Sequence, residues 1–202
     1  MHEESVPTSD AVLARLRAET RTQHEAFDAA LDLTSDTLTL QAYRHTLERF
    51  YGFYLPFEVA LVNVGGWVER GLDLTERQKT PLLATDMRAL GLNDLARLPV
   101  CSDLPPHATV AAAFGCLYVL EGASLGGQVI SRMLRKSLDI APETGGSFFH
   151  GYGERTGPMW KAFRASIVAF SATPVHDDEI VSAAKDTFAT LHRWVNVHDG
   201  TR

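Results

Sequence analysis

Cysteine is scarce in this chain. Only Cys101 and Cys116 occur in 202 residues, both in apolar surroundings and without a CxxC spacing. That excludes a disulfide-built scaffold and a cysteine-based zinc site, and it fits a reducing compartment such as the cytoplasm. Positive charge is also short. Lys plus Arg number 19 against 25 Asp plus Glu, a net charge of -6. A general electrostatic grip on nucleic acid is thereby excluded, though not a small basic cluster for one anionic ligand. Long apolar runs are missing too. The most apolar stretch covers 108–120 and is closed by Glu121, whereas a membrane helix needs about 20 such residues. It reads as a buried core helix, with no membrane partner. The acidic start Met1-His2-Glu3-Glu4 does not read as a secretory signal.

Strand signals are few and helical periodicity is strong. The first helix is expected from the capping cluster Thr8-Ser9-Asp10 to about Asp32, with residues 1–8 as a flexible tail. Leu13, Leu16, Phe27 and Leu31 recur at steps of three and four, and Thr20 and His24 fill the same stripe. A second helix spans about 40–63, kinked at Pro56 and stopped by Gly65-Gly66. Thr80 with Pro81 reads as an N-cap and first helical residue, and Gly91 follows that helix. Pro105-Pro106 introduces a long apolar helix over about 107–137. Residues 139–153, with Pro142 and four glycines, read as a loop. Two further helices follow, from Thr156-Gly157-Pro158 and after Pro174. Hydrophobic residues make up 45% and charged residues 22%, ordinary values for a folded globular chain. The expected fold class is all-α: one compact helical bundle spanning 1–202.

Several chemistries are missing from the motif inventory. No Glu-x-x-His pair, HExxH, GxSxG, strand-borne GxGxxG or GxxxxGK[ST] is present, which removes di-iron, zinc-protease, serine-hydrolase, dinucleotide and P-loop readings. What remains is subtler. His24 shares an apolar stripe, and Arg17 and Arg21 sit roughly 20° and 60° from it around the helix axis. An inward imidazole flanked by two cations suits a flat apolar ligand with a metal and peripheral carboxylates. The same spacing also suits a hydrogen-bonded core histidine with two solvated arginines. The long apolar helix carries Gly115, Gly122, Gly126 and Gly127. Each glycine inside a helix costs about 1 kcal/mol relative to alanine, so backbone there must approach something closely: either a planar ligand or a neighbouring helix. Tyr118, one turn before Gly122, could donate to a ligand carboxylate or be a half-buried core ring.

LRAETRTQH at 16–24 and YVLEGASLGGQ at 118–128 stand in order, about a hundred residues apart. With the aromatic-rich 43–58 and the ending 188–194, they make nearly the whole chain resemble the haem oxygenases, in particular the bacterial biliverdin-producing branch. That resemblance implies a compact all-α fold holding haem b, which is both cofactor and substrate, between a proximal and a distal helix. It implies His24 as the ligand of the haem iron, Arg17 and Tyr118 as propionate contacts, and Arg21 as a basic neighbour. Gly122, Gly126 and Gly127 correspond to the glycine-lined distal helix, and Lys161 and Arg164 lie on a late helix that often adds a basic contact. The implied reaction cleaves haem at a meso carbon with O2 and electrons from a ferredoxin or reductase, giving biliverdin, CO and iron. Members of the branch supply biliverdin to bacterial phytochromes or release iron. One departure stands out: many members have an aspartate where this chain has Ala123. That loss leaves the proton-delivery route open, and it allows an alternative, a haem carrier or sensor on the same scaffold.

Overall fold

The computed structural model describes residues 11–196. The expected tail over 1–8, the cluster Thr8-Ser9-Asp10 and His198 lie outside the described residues. Among the described residues eight α-helices follow one another: α1 (Ala11–Glu19), α2 (Arg21–Leu31), α3 (Leu40–Val64), α4 (Thr80–Ala89), α5 (Val110–Leu138), α6 (Ser147–His150), α7 (Thr156–Phe170) and α8 (Pro174–Asn196). Among the described residues there is no strand. The all-α expectation holds.

The first expected helix is in fact two. Thr20 turns its hydroxyl back onto the Leu16 carbonyl, 2.7 Å away. Such back-bonding competes with the helix ladder and bends the chain. Two boundaries move because of caps. Thr109 accepts from the Ala112 N–H, so α5 begins at Val110 rather than near His107. Lys79, not Thr80, precedes α4, because the Glu58 carboxylate of α3 takes the backbone N–H groups of both Lys79 and Thr80. A distant carboxylate thus does the work usually done by a local cap residue. α3 runs through Pro56 and ends at Gly65, whose φ of 74° lies in the left-handed region.

The segment expected to be a loop contains α6. Its N-terminus is held by Asp86 of α4, fully buried, which accepts from Ser147 N (2.8 Å), Ser147 Oγ (2.6 Å) and Phe148 N (2.7 Å). The anchor carries Phe148 and Phe149 into the core beside Phe50 and Tyr54. No local sequence pattern reveals this helix, because its stabilising partner lies sixty residues upstream.

α5 and α8 form the most extensive helix pair, and one apolar core runs through all the longer helices. α5 is long and apolar enough to cross a bilayer by length and composition, yet most of its apolar length is buried inside the fold. Its approach to α8 turns on Gly115. A Cβ there would stand 2.1 Å from the Ile180 carbonyl oxygen and 2.9 Å from the Ala183 Cβ. This glycine therefore serves helix–helix packing. Gly115→Ala is expected to destabilise the fold by about 3 kcal/mol, since the two backbones must separate. Urea unfolding followed by circular dichroism measures it.

Candidate functional site

A cavity of about 490 Å³ opens between α1–α2 on one side and α5 on the other. Its size falls in the range of about 300–1,000 Å³ common for small-molecule sites. Phe27, Phe50, Phe148 and Phe188 supply apolar wall. Arg17, Thr20, Arg21 and His24 line it from the first two helices, and Tyr118, Gly122, Ala123 and Gly126 face them from α5. The two sequence motifs, far apart along the chain, thus form opposite walls of one space.

His24 does not point into the core. Its side chain is 55% exposed, because it faces the open cavity rather than packed core. Its ring stands edge-on to Phe188, with centroids 5.7 Å apart. Nδ1 faces the Asp28 carboxylate one turn later at 3.4 Å. A proton placed on Nδ1 by that carboxylate leaves Nε2 as the bare donor atom. Among the described residues no group of three or more His, Cys, Asp or Glu side chains is placed to hold a metal ion. The His24 imidazole suits instead a metal already held by donors of its own ligand. His192 is not on this wall. It meets Asn196 on the following turn.

The basic residues sort into two groups. Arg17 and Arg164 both act electrostatically on the Tyr118 phenol and oppose the upward push that burial gives its pKa. The Thr20 hydroxyl acts on the phenol in the same downward direction. Arg17 and Tyr118 therefore stand together on the cavity wall, a setting that suits a carboxylate. Arg21 stands at the rim, 74% exposed and paired with Glu25 at 2.8 Å. Lys161 is exposed on α7 and, like Arg164, is not a lining residue.

The four glycines of α5 divide evenly. Gly115 packs on α8. Gly127, expected at the ligand, lies instead against the Phe149 backbone, where a Cβ would come within 2.5 Å of the carbonyl oxygen. At Gly122 and Gly126 an added Cβ would meet nothing within 4 Å. Those two leave bare backbone facing the open space, a cradle that a flat molecule can approach closely. Ala123 adds only a methyl group.

Sequence reasoning missed the polar cluster beside this wall. Glu121 is 3% exposed and uses both oxygens, accepting from Arg77 Nη1 (2.6 Å) and from the Tyr152 hydroxyl (2.7 Å). Arg77 also donates to the Met159 carbonyl. The one signal in the chain was a glutamate inside an otherwise apolar run; a buried carboxylate demands partners, but the spacing does not say which.

The comparisons with known proteins agree on one family. The family model described as Heme oxygenase matches residues 10–197. A heme oxygenase of Xanthomonas campestris pv. campestris is 30% identical over 152 residues, covering 74% of this chain and 86% of that protein. Two solved structures share the fold. The NO- and CO-bound heme oxygenase of Neisseria meningitidis has a TM-score of 0.72 at 22% identity, covering 94% of each chain. The haem complex of a Synechocystis heme oxygenase has a TM-score of 0.75 at 14% identity, covering 94% of this chain and 92% of that one.

Gly122→Ala should stabilise the ligand-free protein by about 1 kcal/mol, since helix propensity improves and no atom is displaced. Thermal unfolding of this variant beside Gly115→Ala checks the division of the glycines, because the two are expected to shift stability in opposite directions.

Proposed function

This chain belongs to the haem oxygenase family, enzymes that cleave haem oxidatively to biliverdin, and we propose that its haem lies in the large cavity with His24 as the ligand of iron. Haem is the substrate, and an enzyme rather than a carrier is the reading the family supports. The observation that carries the site is the pairing of walls. The exposed edge of one imidazole and two lengths of bare helix backbone line the same apolar space from opposite elements. Bound haem supplies the iron that takes up O2 and the meso carbon that is oxidised.

The protein's part is to hold, orient and exclude. His24 offers Nε2, while the Asp28 carboxylate on the next turn faces Nδ1 and favours the proton there. Arg17 and Tyr118 make the edge for the propionates, Arg164 on α7 is a further basic contact within this proposal, and Arg21 adds charge at the rim. Residues that anchor the propionates would orient the ring and so select which meso carbon is cleaved. Ala123 lines the same wall without a polar atom. Lys161, exposed on the same helix as Arg164, is within this proposal only as a secondary basic contact. Gly127 is outside it, since its backbone is committed to Phe149.

The core shared by the described helices supports one domain across the chain. The two buried thiols and the burial of α5 support a soluble, cytoplasmic protein. An outside electron donor, a ferredoxin or a reductase, is required by the chemistry. A bacterial phytochrome as recipient of biliverdin has the sequence resemblance alone as its support.

His24→Ala is expected to alter the Soret band of the haemin complex and to lower biliverdin formation about 100-fold. Added imidazole should restore part of both, which a purely structural role for His24 would not allow. An unchanged spectrum in this variant would overturn the assignment. Arg17→Ala and Tyr118→Phe should leave cleavage active but change the proportions of biliverdin isomers, read by chromatography of the products.

A further inference from the structure

An imidazole that binds a metal needs its ring plane held as well as its donor atom exposed. The ring turns about two side-chain bonds, and the outer one has no sharp preference. Asp28 restrains it weakly. The contact at Nδ1 is 3.4 Å long, and the two side chains are 55% and 61% exposed. Hydrogen bonds from N–H to oxygen span about 2.7–3.2 Å, and an exposed pair of this kind holds its partners loosely.

Phe188 of α8 offers a firmer restraint. Its ring is buried, at 5% exposure, and stands at 87° to the His24 ring with centroids 5.7 Å apart. That is an arrangement aromatic rings prefer. Phe188 is itself wedged. Its ring meets Phe27 at 6.4 Å, and Phe27 stacks on Phe50 at 6.3 Å. All four rings line the large cavity.

The helix that carries Phe188 is fixed at two points. Lys185, three residues earlier, donates to Glu19 of α1 at 2.6 Å, and Glu19 also accepts from Arg15. About two turns before Phe188, the Ile180 carbonyl lies where Gly115 lets α5 and α8 touch. The same α5 carries Gly122 and Gly126. Phe188 therefore stands in a frame shared with the opposite wall of the cavity.

We propose that Phe188 is a positioning residue for the haem ligand: its ring sets the plane of the His24 imidazole and, through α8, registers that plane to the α5 wall. The inference rests on haem binding through His24. It divides two tasks between two neighbours of one ring. Asp28 favours the proton at Nδ1, and Phe188 chooses the direction in which the ring faces. The plane of an axial imidazole decides how the d orbitals of the iron align with the porphyrin axes, so Phe188 acts on the metal through His24.

The test reads that plane. In the cyanide complex of the haemin-loaded protein the sixth ligand is a linear ion, and the order of the haem methyl proton shifts reports the imidazole plane. Phe188→Leu keeps an apolar side chain but removes the ring. It should change that order, while nuclear Overhauser contacts between the porphyrin and Tyr118 persist. Phe188→Tyr keeps the ring and should keep the order, and so should Asp28→Ala. Single-turnover biliverdin formation should fall about tenfold in Phe188→Leu and recover in Phe188→Tyr. An order that Phe188→Leu leaves unchanged overturns the proposal, as does one that Asp28→Ala changes as far. So does a change that comes with loss of the Tyr118 contacts, which is rotation of the haem. Where Phe188→Leu does not fold, the parent decides. Its complex with zinc protoporphyrin, a diamagnetic stand-in for haem, should show Overhauser contacts between the Phe188 and His24 ring protons, and their absence overturns the proposal. A haemin Soret band that His24→Ala leaves unaltered would refute the haem site itself, and the proposal with it.

Discussion

The close approach of α5 to its neighbours is the constraint on which the site depends. At Gly115 the helix backbone touches the backbone of α8, and at Gly127 it touches that of Phe149. These two contacts lie on either side of Gly122 and Gly126, so the length of α5 between them is held as a rigid span over open space. A side chain at either outer glycine would lift that span from the core and enlarge or close the cavity beneath. Packing is therefore the reason that bare backbone can be offered to a ligand at all. Interiors at crystal-like density transmit such displacements rather than absorb them.

Buried carboxylates hold the remaining walls. Asp86 organises the start of α6 and thereby sets Phe148 and Phe149 along the cavity. Glu58 caps α4 from α3, and Glu121 ties α5 to Arg77 and Tyr152. For Glu58 and Asp86, burial raises the pKa while the donated hydrogen bonds lower it. Each is buried at some cost, and the cost is offset because the N–H and O–H groups it satisfies would otherwise be orphaned in the interior. Such ties contribute less to net stability than to uniqueness of arrangement. Here that means the relative placement of three helices around one ligand space.

Charge is distributed unevenly over a chain that is acidic as a whole. The large cavity has Arg17 beside Tyr118 at one edge and an apolar floor elsewhere. That asymmetry matches a haem, whose propionates lie on one side of an otherwise apolar disc. Beside α5, Arg77 is paired with the Glu121 carboxylate, and the Lys79 ammonium rests over the Tyr152 ring. Overall net charge says nothing of either feature, since both are local arrangements of a few groups.

The periodicity of Leu13, Leu16, Phe27 and Leu31, and of the apolar faces of α3 and α8, determined the all-α class from sequence alone. A helix face is a property of residues three and four apart. The paired motifs around His24 and Gly122 were likewise legible, because each lies within a few turns of one helix. Tertiary structure alone decided the rest. The bend at Thr20 broke the first helix in two, and Asp86 made a helix from what reads as a loop. Contact with Phe149 took Gly127 out of the ligand wall. The meeting of Glu58, Arg77, Lys79 and Glu121 around one small void had no local trace at all. Those outcomes depend on groups distant in sequence finding each other in a low-dielectric interior, and no spacing rule along a chain encodes which partners a buried charge will meet.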